Sequence, residues 1–585
     1  MNQNYSKWLL PAAMPEGLSL RAVWEDSRCR FTLKNVTSEP QKIGDITLLE
    51  AKMPFSADTK VYGEGFSMLA QYGGTVADCR LIGSYCDVDH YKIPKPEGIN
   101  QVFNMALFSP EGEKAFLIGF SSCRRFVGCV RFTPDILQVS LFCEGITIAA
   151  GEEIELEELY AETGEKNGIL RHFAAAISVH HPKLPFPEIP TGWCSWLIYG
   201  PCVTAQNIYD NLDAIKAHGL DLKYIQIDDG YQARWGDWFD FTDKFEGGVK
   251  QLCLDIKQKG FEPAIWVAPF VAEKDSKLLR DHPDWFVKDD SGAPLSSGDV
   301  SFGGWRCAPW YILDLTHPEA IGYVKHVFKT MHDEWQVKYF KLDSIVWASF
   351  PFGVRHDKTK TAVEAFKAGM QAIIDTVGKD SFILGGNSPM WPSIGMVHAM
   401  RVTNDNYRSW SKFARLAREC FARNWQHGRF WINDPDTVLL KNKMVKVVAP
   451  DGSITYSEGT VPENEFAFNA AYTMASGGMV LSGDDVGALS NKNVALLGKL
   501  LPPTEVAAEF DDDSYTTGRA VINGRKTILY AFNFDEAPKD VAWEIDGEVS
   551  VLDHFESKPL GTFKGKVLYP ALPPHSAKVL ITSKI

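Results

Sequence analysis

The chain has 585 residues, with 60 basic and 74 acidic side chains and a net charge of −14. Hydrophobic residues make up 45% and charged residues 23%, which is typical of a globular protein with ample core material, and the length predicts several domains. A surface that binds nucleic acid would be basic, so the acidic balance argues against such a partner. No run of ~18 apolar residues occurs, so no membrane partner is expected.

Eleven cysteines are scattered along the chain, and none forms a C-x-x-C pair. This pattern favours free thiols in a reducing compartment. The segment Met1–Met14 lacks the long apolar stretch of a signal peptide. We therefore expect a cytoplasmic protein.

Short segments of alternating polarity follow one another from about residue 17 to 160, for example Leu18–Trp24 and Leu137–Phe142. Turn-forming residues separate them at spacings of roughly eight to twelve residues, which predicts an antiparallel β-sandwich. A helical stretch near Gly168–Val179 and a proline-rich boundary, Pro182–Pro190, follow. We assign residues 1–185 to an N-terminal β-sandwich domain with its linker.

From Thr191 the pattern changes to strand, loop and helix in repetition, which predicts an α/β fold with a central (β/α)8 TIM barrel over residues 186–502. The eight strand candidates are Gly192–Trp196, Lys223–Ile227, Pro263–Val267, Val337–Leu342, Phe382–Leu384, Val397–Arg401, Arg429–Ile432 and Met479–Leu481. The predicted helices are Ala205–Ala217, Gly248–Lys259, Pro318–Glu334, Thr361–Val377, Ser409–Arg423 and Glu463–Ala475. Alternation returns in residues 503–585, which we assign to a small C-terminal antiparallel β-sandwich.

A long segment from Glu273 to Tyr311 follows the third predicted strand, and long loops at that face of a barrel usually shape the site. Its tryptophans Trp285, Trp305 and Trp310 could form a sugar-stacking surface or fill a core. Trp266, near the end of the third strand, is a candidate for the same barrel mouth.

Several predicted strands end in acidic residues, and the carboxyl ends of barrel strands form the face that carries catalytic groups. These acids are Asp228, Asp229, Asp343, Asp405, Asp434, Asp436, Asp484 and Asp485. For the last four, capping of the following helix is the alternative interpretation.

Asp343 and Asp405 are the candidates for the two carboxyl groups that glycoside hydrolysis requires across the scissile bond. Lys341 lies two residues before Asp343, on the same face of a strand, and we expect it to lower the pKa of Asp343. Arg401 stands four residues before Asp405. The sequence has no H-E-x-x-H, EF-hand or P-loop motif and no G-x-S-x-G, so neither a metal nor an organic cofactor is predicted.

Six motifs of the barrel, in this order, resemble the α-galactosidase clan of glycoside hydrolases, families 27 and 36, and are more similar to family 36. They are Gly192–Trp196 (GWCSW), Ile227–Tyr231 (IDDGY), Gly236–Trp238 followed by Lys244-Phe245, Lys341–Asp343 (KLD), Arg401–Asp405 (RVTND) and Trp431–Asp436 (WINDPD).

The resemblance implies a retaining exo-α-galactosidase in which Asp343 is the nucleophile and Asp405 the acid/base. It also implies a set of sugar-binding residues, which are Trp196, Asp228, Asp229, Lys341 and Arg401. The implied substrate is an α-galactoside oligosaccharide or glycoconjugate, and a homo-oligomer is plausible.

The loop after the fifth strand, Gly385–Trp391, departs from the loops of the better-known members and would face the 2-position of the sugar. Asn387 is a candidate hydrogen-bonding group there, and the bulk of Met390 is expected to disfavour an N-acetyl group. An α-N-acetylgalactosaminidase is therefore an alternative. A galactosyl transferase of the raffinose-synthase type is another, since the Glu273–Tyr311 insertion could build a platform for a sugar acceptor. A non-catalytic carbohydrate-binding barrel is a third.

Overall fold

The computed structural model describes residues 5–448, 454–458 and 460–585. Its centre is a ring of eight parallel strands, so the predicted barrel is confirmed. We label these barrel strands β1 to β8; they are Thr191–Cys194, Tyr224–Ile227, Glu262–Val267, Tyr339–Leu342, Phe382–Gly385, Ala399–Arg401, Ile432–Asp434 and Val480–Ser482. Strands β1 to β7 pair in chain order, and β8 pairs with β1. Between β7 and β8, the Met479 N–H donates to the Asn433 carbonyl over 2.9 Å and nearly closes the ring.

The helices around the barrel are Ala205–Ala217, Gly248–Gln258, Pro318–Asp333, Ala362–Val377, Trp410–Ala422, Glu463–Ala475 and Asn491–Gly498. The six predicted helices agree with them to within one residue at each end. Thr204 and Thr361 explain two of the starts, because each forms a reciprocal capping box with the third residue of its helix.

Several predicted strand boundaries are wrong by two or three residues, among them those of the first and seventh strands. The first strand ends at Cys194, and Trp196 begins the short helix Trp196–Tyr199. The seventh was predicted as Arg429–Ile432, but β7 begins at Ile432, because the 3-10 helix Asn424–Gln426 and a turn at Gly428 precede it. The apolar residues of the sequence located both strands correctly, but they did not indicate at which residue each strand begins or ends.

The N-terminal region forms a 13-stranded antiparallel sheet and a separate two-stranded pair, Gln41–Ile43 with Ile146–Ile148. The sheet strands are Leu10–Pro11, Leu18–Glu25, Arg28–Asn35, Ile46–Lys52, Lys60–Glu64, Gln71–Thr75, Cys79–Leu81, Asn100–Ser109, Ala115–Phe120, Val127–Phe132, Ile136–Phe142, Glu153–Glu155 and Leu159–Gly164. The predicted helix follows as Lys166–His180.

The C-terminal region is a six-stranded antiparallel sheet made of Glu509–Phe510, Thr517–Val521, Lys526–Asn533, Lys539–Asp553, Lys558–Leu572 and Ser576–Lys584. One apolar core contains residues of all three regions, so the domain limits read from the sequence stay predictions. Among the described residues, no helix has the length and apolar character that crossing a membrane requires.

A fully buried ion pair joins the N-terminal sheet to the barrel. Glu64 ends the strand Lys60–Glu64, and Arg423 follows the helix Trp410–Ala422; their side chains are 0% exposed, and Nη2 lies 2.7 Å from Oε2. The guanidinium also donates to the Ala70 and Val402 carbonyls, at 2.9 and 3.0 Å. Because these acceptors belong to both regions, the pair holds the sheet against the barrel.

The chain beyond Glu64 is attached directly to the loop after β5. The Met68 N–H donates to the Ser388 carbonyl, and the Met390 N–H donates to the Phe66 carbonyl, each over 2.9 Å. These bonds place an N-terminal loop at the carboxyl-end face of the barrel, beside the predicted site.

We expect Arg423→Met to lower the free energy of unfolding by about 3–5 kcal/mol, because it leaves the Glu64 carboxylate buried without its cation. Denaturant titration measures this loss. The control is Lys492→Met, which removes an ion pair with Glu463 whose side chains are 68% and 73% exposed; its effect should stay below about 1 kcal/mol. Equal losses in both variants would contradict the role given to the buried pair.

Candidate active site

A cavity of about 230 Å³ opens where the barrel strands end. Of the nine predicted site residues, the structure brings eight to its lining: Trp196, Asp228, Trp266, Lys341, Asp343, Asn387, Arg401 and Asp405. They come from the ends of six barrel strands or from the segments directly after them. Side chains far apart in sequence thus converge because parallel barrel strands all end at one face.

The floor of the cavity carries a buried ion pair between Asp228 and Lys341. Lys341 Nζ lies 2.9 Å from Asp228 Oδ2, and Gln226 Nε2 donates to the same oxygen over 2.7 Å. Burial acts to lower the pKa of Lys341, but the surrounding acidic groups, Asp228 first among them, together outweigh it and raise this pKa well above its ordinary value. The lysine therefore stays a cation and a hydrogen-bond donor at the bottom of the cavity.

Asp343 follows β4 directly and faces the cavity. Its Oδ2 accepts from Trp266 Nε1 over 3.0 Å, and its Oδ1 accepts from the Ser344 N–H. The expected lowering of its pKa by Lys341 is wrong in its net direction. Burial raises the pKa of Asp343, and Lys341, engaged with Asp228, only partly opposes that rise.

Asp405 stands at the other side of the cavity, on the chain after β6, with its side chain 52% exposed. Arg401 Nη2 donates to its Oδ1 over 3.0 Å, and Trp196 Nε1 donates to its Oδ2 over 3.2 Å. Desolvation acts to raise the pKa of Asp405, but the charges of Arg401 and Lys341 and the hydrogen bonds from Arg401 and Trp196 together outweigh it and hold the pKa below its ordinary value.

Behind Arg401 lie the acids that follow β7. Asp436 Oδ2 is 3.3 Å from Arg401 Nη2 and accepts the Asn406 N–H over 2.6 Å, and Asp434 Oδ1 accepts the Asp436 N–H over 3.0 Å. Burial raises the pKa of Asp434 to about 6. These acids hold Arg401 and the chain near Asp405, so the capping alternative does not describe Asp434 and Asp436.

The structure places Asp229 behind the cavity rather than in its lining. The carboxylate is fully buried and accepts two hydrogen bonds from the Arg306 guanidinium, from Nη2 to Oδ1 over 2.7 Å and from Nε to Oδ2 over 2.9 Å. Trp235 and Gln232 also donate to it. Asp229 therefore anchors the long insertion through Arg306, and this geometry shows no free oxygen for a sugar.

The insertion after β3 shapes one wall of the site, as its length indicated. Phe302 and Trp305 line the cavity, and Trp305 lies edge-on to Trp196 at 5.4 Å between ring centroids. Trp310 is buried and stacks on Trp235 at 4.4 Å, so it fills a core. Trp285 lies apart from the cavity, stacked on His282.

The loop after β5 differs from the prediction at Met390. That side chain is fully buried outside the cavity lining, so it does not restrict the 2-position of a sugar. Asn387 does line the cavity, with its backbone in the left-handed region at φ 45°. Next to it, a Cβ on Gly386 would lie 3.8 Å from Asp343 Cγ, so glycine keeps space open beside that carboxylate.

Four residues of the N-terminal region complete the cavity and were missed by sequence reasoning: Met68, Leu69, Tyr85 and His90. The His90 ring is sandwiched between Tyr85, at 4.3 Å, and Phe302 of the insertion, at 3.9 Å. Tyr85 and Phe302 are each 42% exposed, so this stack forms an aromatic rim above the charged floor. No motif marked these residues, because only the docking of the sheet brings them near.

One group of potential metal ligands occurs among the described residues, Asp284, His317 and Glu319. His317 Nδ1 accepts the Glu319 N–H at a helix start, and Trp285 Nε1 donates to Glu319. The trio lies outside the cavity, and two of its members, His317 and Glu319, already have protein partners, so we assign no metal to it. The cavity itself can hold one small polar ring between two carboxylates.

The chain resembles known proteins in sequence. A profile of the Melibiase family matches residues 206–381. An A type blood α-D-galactosamine galactosaminidase from Flavonifractor plautii is 30% identical over 230 residues, which are 37% of this chain and 21% of that protein. An α-galactosidase from Escherichia coli is 31% identical over 137 residues, 22% of this chain and 18% of that protein. The matches thus span about a fifth of these curated relatives.

Solved structures share the fold. The family 36 α-galactosidase AgaA from Geobacillus stearothermophilus superimposes with a TM-score of 0.66 at 13% identity, covering 97% of this chain and 81% of that one. The α-galactosidase TtGalA from Thermus thermophilus, in complex with p-nitrophenyl α-D-galactopyranoside, gives 0.65 at 18% identity, covering 86% and 98%. The resemblance of the barrel motifs to the α-galactosidase clan is confirmed.

We expect Arg306→Met to loosen the insertion, because the buried Asp229 carboxylate loses its charged partner. Amide hydrogen exchange over residues 297–310 should quicken by about tenfold or more. Arg280→Met serves as the control, since Arg280 pairs with Asp281 on the exposed surface of the same insertion. Unchanged exchange in Arg306→Met would contradict the anchoring role of Asp229.

Proposed function

We propose that this protein is a retaining, exo-acting α-galactosidase. The observation that carries the proposal is the pair Asp343 and Asp405 facing one small cavity, whose floor is the Asp228–Lys341 ion pair. A cavity of about 230 Å³ with a buried ion pair in its lining suits one terminal sugar, which is the unit that exo cleavage removes. The motif resemblance and the relatives named above support the choice of α-galactosides.

In the proposed mechanism, Asp343 attacks the anomeric carbon while Asp405 gives its proton to the leaving oxygen. The glycosidic bond breaks as the bond between the sugar and Asp343 forms. Asp405 then takes a proton from water, which displaces Asp343 from the sugar and restores both carboxyl groups. Retention requires the two carboxyl groups to be about 5–5.5 Å apart, a separation that we predict for this site.

Arg401 and Trp196 favour the anionic form of Asp405, which is the form that takes a proton from water in the second step. For the first step Asp405 must be protonated. A sugar in the cavity would exclude water from Asp405 and give Arg401 a further partner besides Asp405 and Asp436, and both changes raise the pKa of Asp405. Substrate binding would therefore produce the acid that the first step needs.

The second candidate function is removal of a galactose that carries a nitrogen substituent on C2, as in an α-N-acetylgalactosaminidase. Two observations favour it: Met390 does not occupy the cavity, and the relative from Flavonifractor plautii is named a galactosaminidase. Turnover of p-nitrophenyl α-galactoside and of its 2-acetamido analogue, measured in parallel, separates the two candidates. Transfer to a sugar acceptor, which the aromatic rim could hold, appears in the same assay as a transfer product.

The cytoplasmic location and the homo-oligomer stay predictions.

We expect Asp343→Ala to lower kcat by several orders of magnitude, because the covalent intermediate can no longer form. Added azide should restore turnover by taking the place of the carboxylate. Asp290→Ala is the control, since Asp290 is an exposed residue of the insertion. If Asp343→Ala kept near-wild-type turnover, the nucleophile assignment would be wrong.

Asp405→Ala should cost about 10²–10⁴-fold on substrates with poor leaving groups, which need a proton from the acid. Substrates with a p-nitrophenolate leaving group should lose much less in the first step. Comparison of p-nitrophenyl α-galactoside with an α-galactosyl disaccharide measures the difference. Equal losses of activity on the two substrates would contradict the role of Asp405 as the acid.

The pH dependence of kcat, which reports the sugar-bound site with Asp405 protonated, follows from the raised pKa of Asp343. As the pH falls through that pKa, the nucleophile gains a proton and activity is lost, so the acid limb lies above the ordinary range of an aspartate. Trp266→Phe removes a hydrogen-bond donor that stabilises the Asp343 carboxylate anion, so the acid limb of the pH profile should move to still higher pH. Trp238→Phe, a buried neighbour of Trp266, should leave the limb in place. A shift to lower pH in Trp266→Phe would contradict this account.

A further inference from the structure

A hydrogen bond crosses from the N-terminal region into the cavity. Tyr91 ends the short helix Asp87–Tyr91, and its hydroxyl lies 2.8 Å from Asn387 Oδ1. The Tyr91 ring is fully buried and is held by the rings of Trp347 and Phe350, at 5.4 and 5.2 Å. The contact is therefore built on a rigid side chain.

The Tyr91 hydroxyl donates this hydrogen bond, and the Asn387 side-chain oxygen accepts it. Burial, together with the nearby charges of Asp87 and Asp343, raises the pKa of Tyr91 well above its ordinary value, so the hydroxyl keeps its proton. Because Oδ1 is engaged with Tyr91, Nδ2 is the side-chain group of Asn387 that is left for a ligand, and Asn387 lines the cavity. The Asn387 backbone is held as well, because its carbonyl accepts the Val346 N–H over 3.0 Å.

The position of Asn387 indicates which part of a substrate it meets. Gly386, the preceding residue, also lines the cavity, and a Cβ on it would lie 3.8 Å from Asp343 Cγ. Asn387 therefore follows directly after the residue that lies beside the Asp343 carboxylate, and it lines the same cavity. On a galactose ring, the exocyclic group adjacent to that carbon is the substituent on C2.

We propose that Tyr91 is a positioning residue that turns the Asn387 amide so that the site selects a hydrogen-bond acceptor on C2, a hydroxyl or an acetamido oxygen, over a protonated amine. This inference rests on the proposed function and concerns the substrate class of the same site. A 2-ammonium group has only donors, and here it would meet the donors of Asn387 as well as the nearby cations Lys341 and Arg401. The chain would then differ in specificity from the galactosaminidase that it resembles.

The test compares kcat/KM of the wild type and Tyr91→Phe on p-nitrophenyl α-galactosides that differ only at C2, carrying hydroxyl, acetamido, hydrogen or protonated amine. Loss of the phenol oxygen frees the amide to turn. We expect kcat/KM for the better of the hydroxyl and acetamido substrates to fall about 3- to 10-fold. The 2-deoxy substrate should not change, and the preference over the 2-amino substrate should fall by at least the same factor.

Two further variants separate positioning from a structural effect. In an Asn387→Ala background, Tyr91→Phe should have no additional effect on these preferences, since it acts only through the amide. Asn387→Asp presents an acceptor in either orientation and should shift preference toward the 2-amino substrate about tenfold or more. Tyr160→Phe is the matched control, because it removes the hydroxyl of an N-terminal tyrosine bonded to Glu162.

Equal losses on the 2-hydroxyl and 2-deoxy substrates, or additive effects of Tyr91→Phe and Asn387→Ala, would overturn the inference and leave the proposed function standing. A wild type that prefers the 2-amino substrate would do the same. A wild type without turnover on any of the four substrates would instead overturn the proposed function, and this inference with it.

Discussion

The site depends on one buried contact, the ion pair between Glu64 and Arg423. Taking two charges out of water is costly, and only a full set of hydrogen bonds in good geometry offsets that cost. Here the guanidinium reaches carbonyls on both sides of the junction, and Gln426 supplies a further donor to Glu64 over 2.7 Å. The pair therefore specifies how the sheet lies on the barrel. The loop that carries Met68 and Leu69, and the helix that ends in Tyr91, take their places from this arrangement.

Charge within the cavity is organised by pairing. Lys341 is paired with Asp228, and Arg401 lies between Asp405 and Asp436. Asp343 differs from these acids, because in the described part of the chain it has no ion-pair partner within 4.0 Å and relies on the Trp266 and Ser344 N–H groups. A carboxylate that is held by neutral donors keeps its lone pairs reactive. That difference, rather than its place in a motif, is the physical argument for Asp343 as the attacking group.

Three expectations failed for one common reason. The spacing between two residues in the sequence does not show whether a third residue, distant in the chain, contacts one of them. Lys341 shares a strand face with Asp343, yet its ammonium binds Asp228 on another strand. Asp229 is adjacent to a cavity residue, but its carboxylate turns away to Arg306, which is 77 residues distant in the chain. Met390 lies in the correct loop, but that loop pairs with Phe66 and Met68, and the side chain packs into the core behind the cavity.

The sequence by itself determined the barrel, its helices and the eight residues that converge in the cavity. Local apolar periodicity marks strands and helices, and the end of each parallel strand must lie at one face. Only the tertiary structure decided which acids are paired, which tryptophans are exposed and what closes the cavity. These properties arise from contacts between segments far apart in the chain, such as Tyr91 with Asn387 and His90 with Phe302, and no local pattern records them.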